Sequence, residues 1–367
     1  MNAPPQPDRA IAVEIVITNY NYAEYVREAV DSALAQDHPD VRVVVIDDGS
    51  TDGSPQLLAE YGEAIDLVLG DNRGQVSALN AGFARCRGDV VIFLDSDDVL
   101  APSTARLAAT SLAAKSDAAR AQFRMALIDA EGRSLGITRP NRPPPSGDLR
   151  RAELAFPFDL PWVAMSGNAY RTSALRQIMP IPEPGEEHWF VDVYLVHMTT
   201  LLGSVVSRAD VGAFYRVHGR NLFEPVEPVL DLERIRWEIR YQQKTAEALA
   251  RLADELGLER PEQILSMSNI ANRVVSRKLA PRLHPVPADS WTSLMASAVR
   301  AARRRYDVSL VMRLALVAWL AAILAAPPRL ATRLSELLVF PELRPRGTRL
   351  LERMHRGEAV VSRPASG

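Results

Sequence analysis

Cysteine is nearly absent from this chain. Cys86 stands alone, so no intrachain disulfide can form, which fits a reducing compartment. Cys86 falls in a helical stretch ahead of Gly88 and reads as a small core residue. A strong charge of either sign is missing too. The net charge is −2, and nothing in that balance calls for nucleic acid. The opening Met1-Asn2-Ala3-Pro4-Pro5 has no basic stretch leading into an apolar run, so no secretory signal is expected. No short internal repeat occurs, and the one biased tract is the Pro-rich stretch at 138–147, read as an exposed loop. Long apolar runs are scarce. Val308 to Ala326 is apolar apart from Ser309 and Arg313, and the uninterrupted part, Leu314 to Ala326, is short for a membrane span. Arg313 lies near one end, where it can snorkel. Arg300, Arg303, Arg304 and Arg305 precede the run, and Arg329 and Arg333 follow it. Burial and peripheral membrane contact through 308–326 are the two leading readings.

What the chain does have is an ordinary folded composition: 367 residues, 47% apolar and 24% charged. That length suggests two domains, or one large domain with an appendage. Residues 11–18, 41–46, 65–69 and 90–94 read as buried strands, alternating with helices over 23–35 and 75–87 and one opened by Pro102. Such alternation predicts a mainly parallel sheet covered on both faces. Ligands in such sheets sit beyond the carboxyl ends of the strands. Three polar clusters fall at those ends: Thr18-Asn19-Tyr20, Asp47-Asp48 and Asp95-Ser96-Asp97. Further along, Ser166-Gly167-Asn168 reads as a polar loop. A helix is expected over 189–202, then a strand leading to Tyr215-Arg216-Val217-His218. Steps of three and four from Leu232 to Leu256, polar only at Gln242, mark a long helix with one seam, packed on the core or on a second copy.

Two carboxylates two apart on an extended segment point the same way. Asp95 and Asp97 can therefore share a divalent cation with a diphosphate, since Mg²⁺ and Mn²⁺ prefer hard oxygen ligands. Alone, Asp-x-Asp reads more often as a solvated loop capping the next helix; its place after the apolar strand VVIFL strengthens the metal reading. Asp48 can accept from a base N–H or a ribose hydroxyl, or serve as turn chemistry. Asn72-Arg73-Gly74 opens a helix, a place suited to phosphate or to a plain cap. Asp192, in an apolar helix, suits a general base or an exposed position. His188 and His197 read as surface or core histidines. Arg216 and His218 suit phosphate or metal, or an ordinary strand end.

In combination these residues resemble the family-2 glycosyltransferases. Thr18-Asn19-Tyr20-Asn21, AVDSALAQ at 29–36, VVVIDDGSTDGS, NRGQVSALNAG and GDVVIFLDSDD keep that family's order and spacing over roughly 11–115. The resemblance implies an α/β fold of the GT-A type, Rossmann-like, with a helical C-terminal extension. It implies inverting transfer of one sugar from a nucleoside-diphosphate sugar, UDP-linked by preference, to a glycan or lipid-linked acceptor. Thr18, Asn19, Tyr20, Asp48, Arg73, Gly74, Asp95 and Ser96 would bind the donor. Asp97, with His218 as a second candidate, would hold Mn²⁺ or Mg²⁺. Asp192 would be the base, though Val191 stands where the family often has Glu. Gly167, Asn168 and Arg216 would meet acceptor or phosphate.

The processive motif Gln-x-x-Arg-Trp is missing, since Arg236-Trp237 lacks the Gln; this favours single transfer. The expected organisation is a disordered 1–10, a catalytic domain at 11–223 split into donor (11–115) and acceptor (116–223) halves, a helical region at 224–345 and a flexible tail at 346–367. The helical region would serve membrane contact or a homodimer through 232–256. The expected setting is cytoplasmic, peripheral at the inner membrane face. A catalytically silent sugar-binding or assembly module is the competing reading. A sugar-1-phosphate nucleotidyltransferase would want a Gly-rich basic loop where this chain has Asn19-Tyr20-Asn21-Tyr22.

Overall fold

The computed structural model describes residues 10–182, 191–221, 229–261, 264, 266–304 and 309–340. The expected disordered start (all but Ala10), the tail, His188 and the first two residues of the 189–202 helix lie outside them. The chain divides into two units. One comprises 1–224 and 247–262, the other 225–246 and 263–367.

The first unit is built on one nine-stranded sheet. Its strands are β1 (Val13–Asn19), β2 (Val41–Asp47), β3 (Asp66–Leu69), β4 (Val90–Asp95), β5 (Val99–Leu100), β6 (Ala118–Asp129), β7 (Ser134–Arg139), β8 (Asn168–Arg171) and β9 (Ser204–Val217). The order is β3-β2-β1-β4-β8-β6-β9-β5, with β7 added beside β6. β3, β2, β1 and β4 run parallel. β8 is antiparallel to β4 and β6, while β6 and β9 are parallel. This is a mixed sheet with one parallel half, of the GT-A type.

All seven residues of β1 are buried, Glu14 included, because helices cover both faces. Ile15, Ile17, Val43, Val45, Ile92 and Leu94 meet the helices Val26–Leu34 and Thr104–Ala114. Val16, Val44, Ile46, Val91 and Phe93 meet the helices Gln75–Ala84 and Val191–Leu202 and the end of Leu232–Glu255. The period of two along each strand sorts these sets to opposite faces. Gly82 lets its helix approach β1 closely, since a Cβ there would lie 2.4 Å from Val16 Cγ1. Cys86 is buried, and burial pushes its thiol pKa up, as suits an inert core residue.

The second unit is helical: Met267–Leu279, Trp291–Arg304, Leu310–Ala325 and Pro328–Val339, with the start of the long helix. Ile270, Val274, Leu294, Ala298, Leu320 and Ile323 form its core. The seam of the long helix packs on the chain itself. Ile235 and Ile239 meet Val275, and Gln242 Oε1 accepts from Asn269 Nδ2 at 2.5 Å. Leu249 and Ala253 are buried in the first unit's core. The seam is thereby covered by the chain itself as far as Ala253, and Leu256 at its end is exposed.

Candidate functional site

Parallel pairing sets Thr18 beside Ile46 and Asp95, and Asn19 beside Asp47. The three polar clusters therefore meet at one edge of the sheet. Asn19 Nδ2 donates to Asp47 Oδ2 at 2.7 Å and to Ser50 Oγ at 3.2 Å. Ser50 N–H closes the turn onto Asp47 Oδ1 at 2.9 Å. Asp48 is then aimed at the next loop. Its Oδ1 accepts from Arg73 N–H at 2.9 Å and its Oδ2 from Gly74 N–H at 2.7 Å. Gly74 has φ +86°, a conformation that favours glycine, and it starts the helix Gln75–Ala84. Asp48 thus clamps the 72–74 loop, while the Arg73 side chain is exposed. Of the first cluster only Tyr20 faces solvent. Thr18 and Asn19 are buried and support the floor.

At the end of β4, three acidic residues crowd together. Asp95 and Asp97 are half-buried, and Ser96 and Asp98 between and beside them are buried. Alternation therefore puts Asp95 and Asp97 toward the opening and Ser96 away from it. Gln75 Nε2 donates to Asp95 Oδ1 at 3.4 Å. Burial, then Asp97, Asp98 and Asp192, hold the Asp95 carboxyl well above the usual carboxylate range. Burial and then Asp97 raise Asp98 in the same way. Asp98 is tied on both oxygens, by Ser166 Oγ at 2.6 Å and Arg216 N–H at 3.0 Å.

His218 and Asp97 face one another, Nε2 to Oδ2, at 2.9 Å. Arg220 N–H donates to His218 Nδ1 at 3.2 Å, which leaves Nε2 as donor toward Asp97. The imidazole stacks on Tyr25, ring centres 5.0 Å apart, and meets the edge of Tyr22. Burial, then Asp97, push the Tyr22 phenol up to about 12, so it stays protonated. Arg220 lies over the Tyr22 ring at 5.2 Å.

Arg216 was expected at a phosphate. Its side chain is buried and engaged by its own chain instead. It pairs with Glu28, donates to Asp97 O at 2.9 Å and Ala130 O at 3.1 Å, and covers the Tyr25 ring. Its work is to fix the Asp97-Asp98 turn. Gly167 and Asn168 are corrected likewise. Both are buried, in a 3₁₀ turn and the start of β8, rather than in an open loop. Asn168 Oδ1 accepts from Arg120 at 2.8 Å, and its Nδ2 donates to Val163 O and Ala164 O. A Cβ on Gly167 would lie 2.4 Å from Val163 Cγ1.

Asp192 opens the helix Val191–Leu202 and is half-buried. Burial raises its carboxyl to about 6, with Val193 N–H and His197 opposing. Its charge is one of those acting on Asp95. His197 is a core residue, its Nδ1 2.8 Å from Glu153 Oε1.

Asp95, Asp97 and His218 are the groups here that could hold a cation. Among the described residues no three His, Cys, Asp or Glu side chains form a closed metal cage. The Asp97–His218 contact is a hydrogen bond, so His218 would serve as a ligand only by exchanging its Nε2 proton for the cation.

Residues 14–177 match the profile of Glycosyl transferase family 2. Through this N-terminal stretch the chain is similar to the family-2 glycosyltransferases. Among family-2 relatives, an uncharacterized glycosyltransferase of Nostoc is 33% identical over 213 residues, 57% of this chain and 66% of that one. The succinoglycan biosynthesis protein ExoO of Rhizobium meliloti is 39% identical over 36% of this chain and 38% of its own. The putative teichuronic acid biosynthesis glycosyltransferase TuaG of Bacillus subtilis is 38% identical over 23% of this chain and 36% of its own. The chain thus spans less than two thirds of each of these relatives. The crystal structure of S. aureus TarS 1–349 shares the fold, with a TM-score of 0.52 at 17% identity over 95% of this chain and 92% of that one. The matched stretch carries Asp48, Asp95 and Asp97. Asp98, Glu28, Tyr22, Tyr25 and Arg220 lie outside the residues that sequence singled out as functional. Only Asp98 had a local signal, as the last acid of Asp95-Ser96-Asp97-Asp98.

Proposed function

We propose that this chain is an inverting glycosyltransferase that moves one sugar from a nucleoside-diphosphate sugar, UDP-linked by preference, to a hydroxyl of a glycan or lipid-linked acceptor. Its setting is polysaccharide or glycoconjugate synthesis at the cytoplasmic face of a membrane. The observation that carries this reading is the convergence of Asp48, Asp95, the Asp97–His218 pair and Asp192 at the carboxyl edge of a parallel sheet. The names of the ExoO and TuaG relatives support the polysaccharide setting.

Asp48 orders the 72–74 loop, so that the helix start and Arg73 can receive donor phosphate. Asp97 and His218 would hold Mn²⁺ or Mg²⁺, which supplies charge neutralisation for a departing diphosphate. Asp192, at about 6, is ionised at neutral pH yet basic enough to accept a proton. It takes the acceptor hydroxyl proton as that oxygen bonds to the anomeric carbon. The bond from that carbon to the diphosphate oxygen breaks, and its electron pair leaves with the nucleotide. One displacement inverts the centre.

The test is release of nucleoside diphosphate from a panel of UDP-, GDP- and dTDP-sugars, with Mn²⁺ and with EDTA. Metal-dependent release that Asp192→Asn abolishes supports the reading. Tight nucleotide binding with no release from any donor, even with acceptor extracts, would favour a silent binding module.

A further inference from the structure

We infer that the helix Leu310–Ala325 and the start of the next one seat this chain on an anionic lipid surface. The argument begins with a helix that should not be bare in water. Every residue of Leu310–Ala325 is apolar except Arg313. One side of the helix is covered: Leu320 and Ile323 are buried in the second unit's core. The other side is open. Leu310, Val311 and Leu314 are 69, 74 and 62% exposed. Exposed Ala315, Ala318 and Ala322 continue the same stripe at helical spacing. Leu330, at the start of the following helix, is 50% exposed as well. An amphipathic surface helix would carry polar residues on this side.

Charge identifies the occupant. Residues 291–340 carry seven arginines against two acids, Asp307 and Glu336, in a chain whose net charge is −2. Basic groups bracket the stripe. Arg313 donates to Arg303 O at 3.2 Å, which brings the end of the Trp291–Arg304 helix to the start of the stripe. Exposed Arg329 and Arg333 follow its end. Apolar side chains flanked by arginine suit the headgroup boundary of an anionic leaflet, where each arginine contributes about 1 kcal/mol. A second copy suits the face less well. A symmetric dimer sets a patch against itself, and here that would oppose like charges. A span is excluded by length: no helix among the described residues is long and apolar enough to cross a membrane. The helix therefore lies in the interface. This inference does not rest on the transfer reaction.

The experiment is sedimentation of the full chain with vesicles of phosphatidylcholine alone and of phosphatidylcholine with phosphatidylglycerol, at low and high salt. The chain should pellet with the anionic vesicles and be released by salt. The triple variant Leu310→Asp, Val311→Asp, Leu314→Asp should lose binding at least tenfold. Arg329→Glu with Arg333→Glu should do the same, and it keeps the test valid if the triple variant does not fold. Circular dichroism and nucleotide affinity serve as controls, so loss of the lipid site is distinguishable from loss of the donor site. No pelleting, equal pelleting with neutral vesicles, or a wild-type dimer that the triple variant turns into a monomer would overturn the inference.

Discussion

His218 Nε2 and Asp97 Oδ2 stand 2.9 Å apart, although 121 residues separate them in the chain. The end of β9 brings one of them and the turn after β4 the other. If this pair holds the metal, Asp97→Ala should abolish metal-dependent nucleotide binding. His218→Ala should weaken Mn²⁺ affinity by about 10–100-fold and leave metal-free nucleotide binding unchanged. Calorimetric titration of Mn²⁺ in the presence of nucleotide checks both.

Asp192→Asn removes the base and keeps the shape. Donor affinity should stay within about twofold, while kcat falls by about 10²–10⁴. Single-turnover kinetics with saturating donor separate the two quantities.

The pH profile follows from the direction of the Asp192 shift. Its carboxyl is raised to about 6, so it is protonated and inactive as a base below that pH. The rate should fall about tenfold per unit below pH 6 and level off above it. Stability runs the other way. The folded state holds this proton more tightly than the unfolded chain, so its contribution is full below the usual carboxylate value. It is lost as pH rises through about 6. Melting curves of wild type and Asp192→Asn between pH 4 and pH 7 should therefore diverge, with the variant losing less stability as pH rises.

Arg216 gives a prediction of another kind. Arg216→Ala leaves the Asp97 and Ala130 carbonyls without their buried donor and Glu28 without its pair. It should cost about 2–4 kcal/mol in urea unfolding. Arg216→Lys should recover little, because an ammonium cannot reach the same fork of partners. A variant of normal stability with lost phosphate affinity would restore the sequence-based expectation for this residue.

How much was legible in the sequence depended on burial on both faces. β1, β2 and β4 are apolar runs broken only by Glu14 and Arg42 near their starts, and the polar residues that end them stand out sharply. β6 does not read so clearly, because Arg120, Gln122 and Arg124 interrupt it. Arg120 is nonetheless buried, its Nη1 held by Gln122 and Asn168 while its Nε has no partner. A buried arginine held by neutral oxygens looks like surface to any hydropathy argument. The same blindness made Ser166-Gly167-Asn168 a loop, where packing against Val163 and Met125 requires the glycine. Arg216 was visible as a functional candidate, but its direction was not, since Glu28 lies 188 residues away in the chain. Asp192 was visible as an acid among apolar residues; its raised carboxyl needed the structure.

The measurement that bears most directly on the central claim is calorimetric titration of the purified chain with UDP, GDP and dTDP, each with Mn²⁺ and with EDTA. Binding of one nucleotide, UDP by preference, that requires metal and vanishes in Asp97→Ala is the predicted result. A folded protein that binds none of the three under either condition would contradict the account.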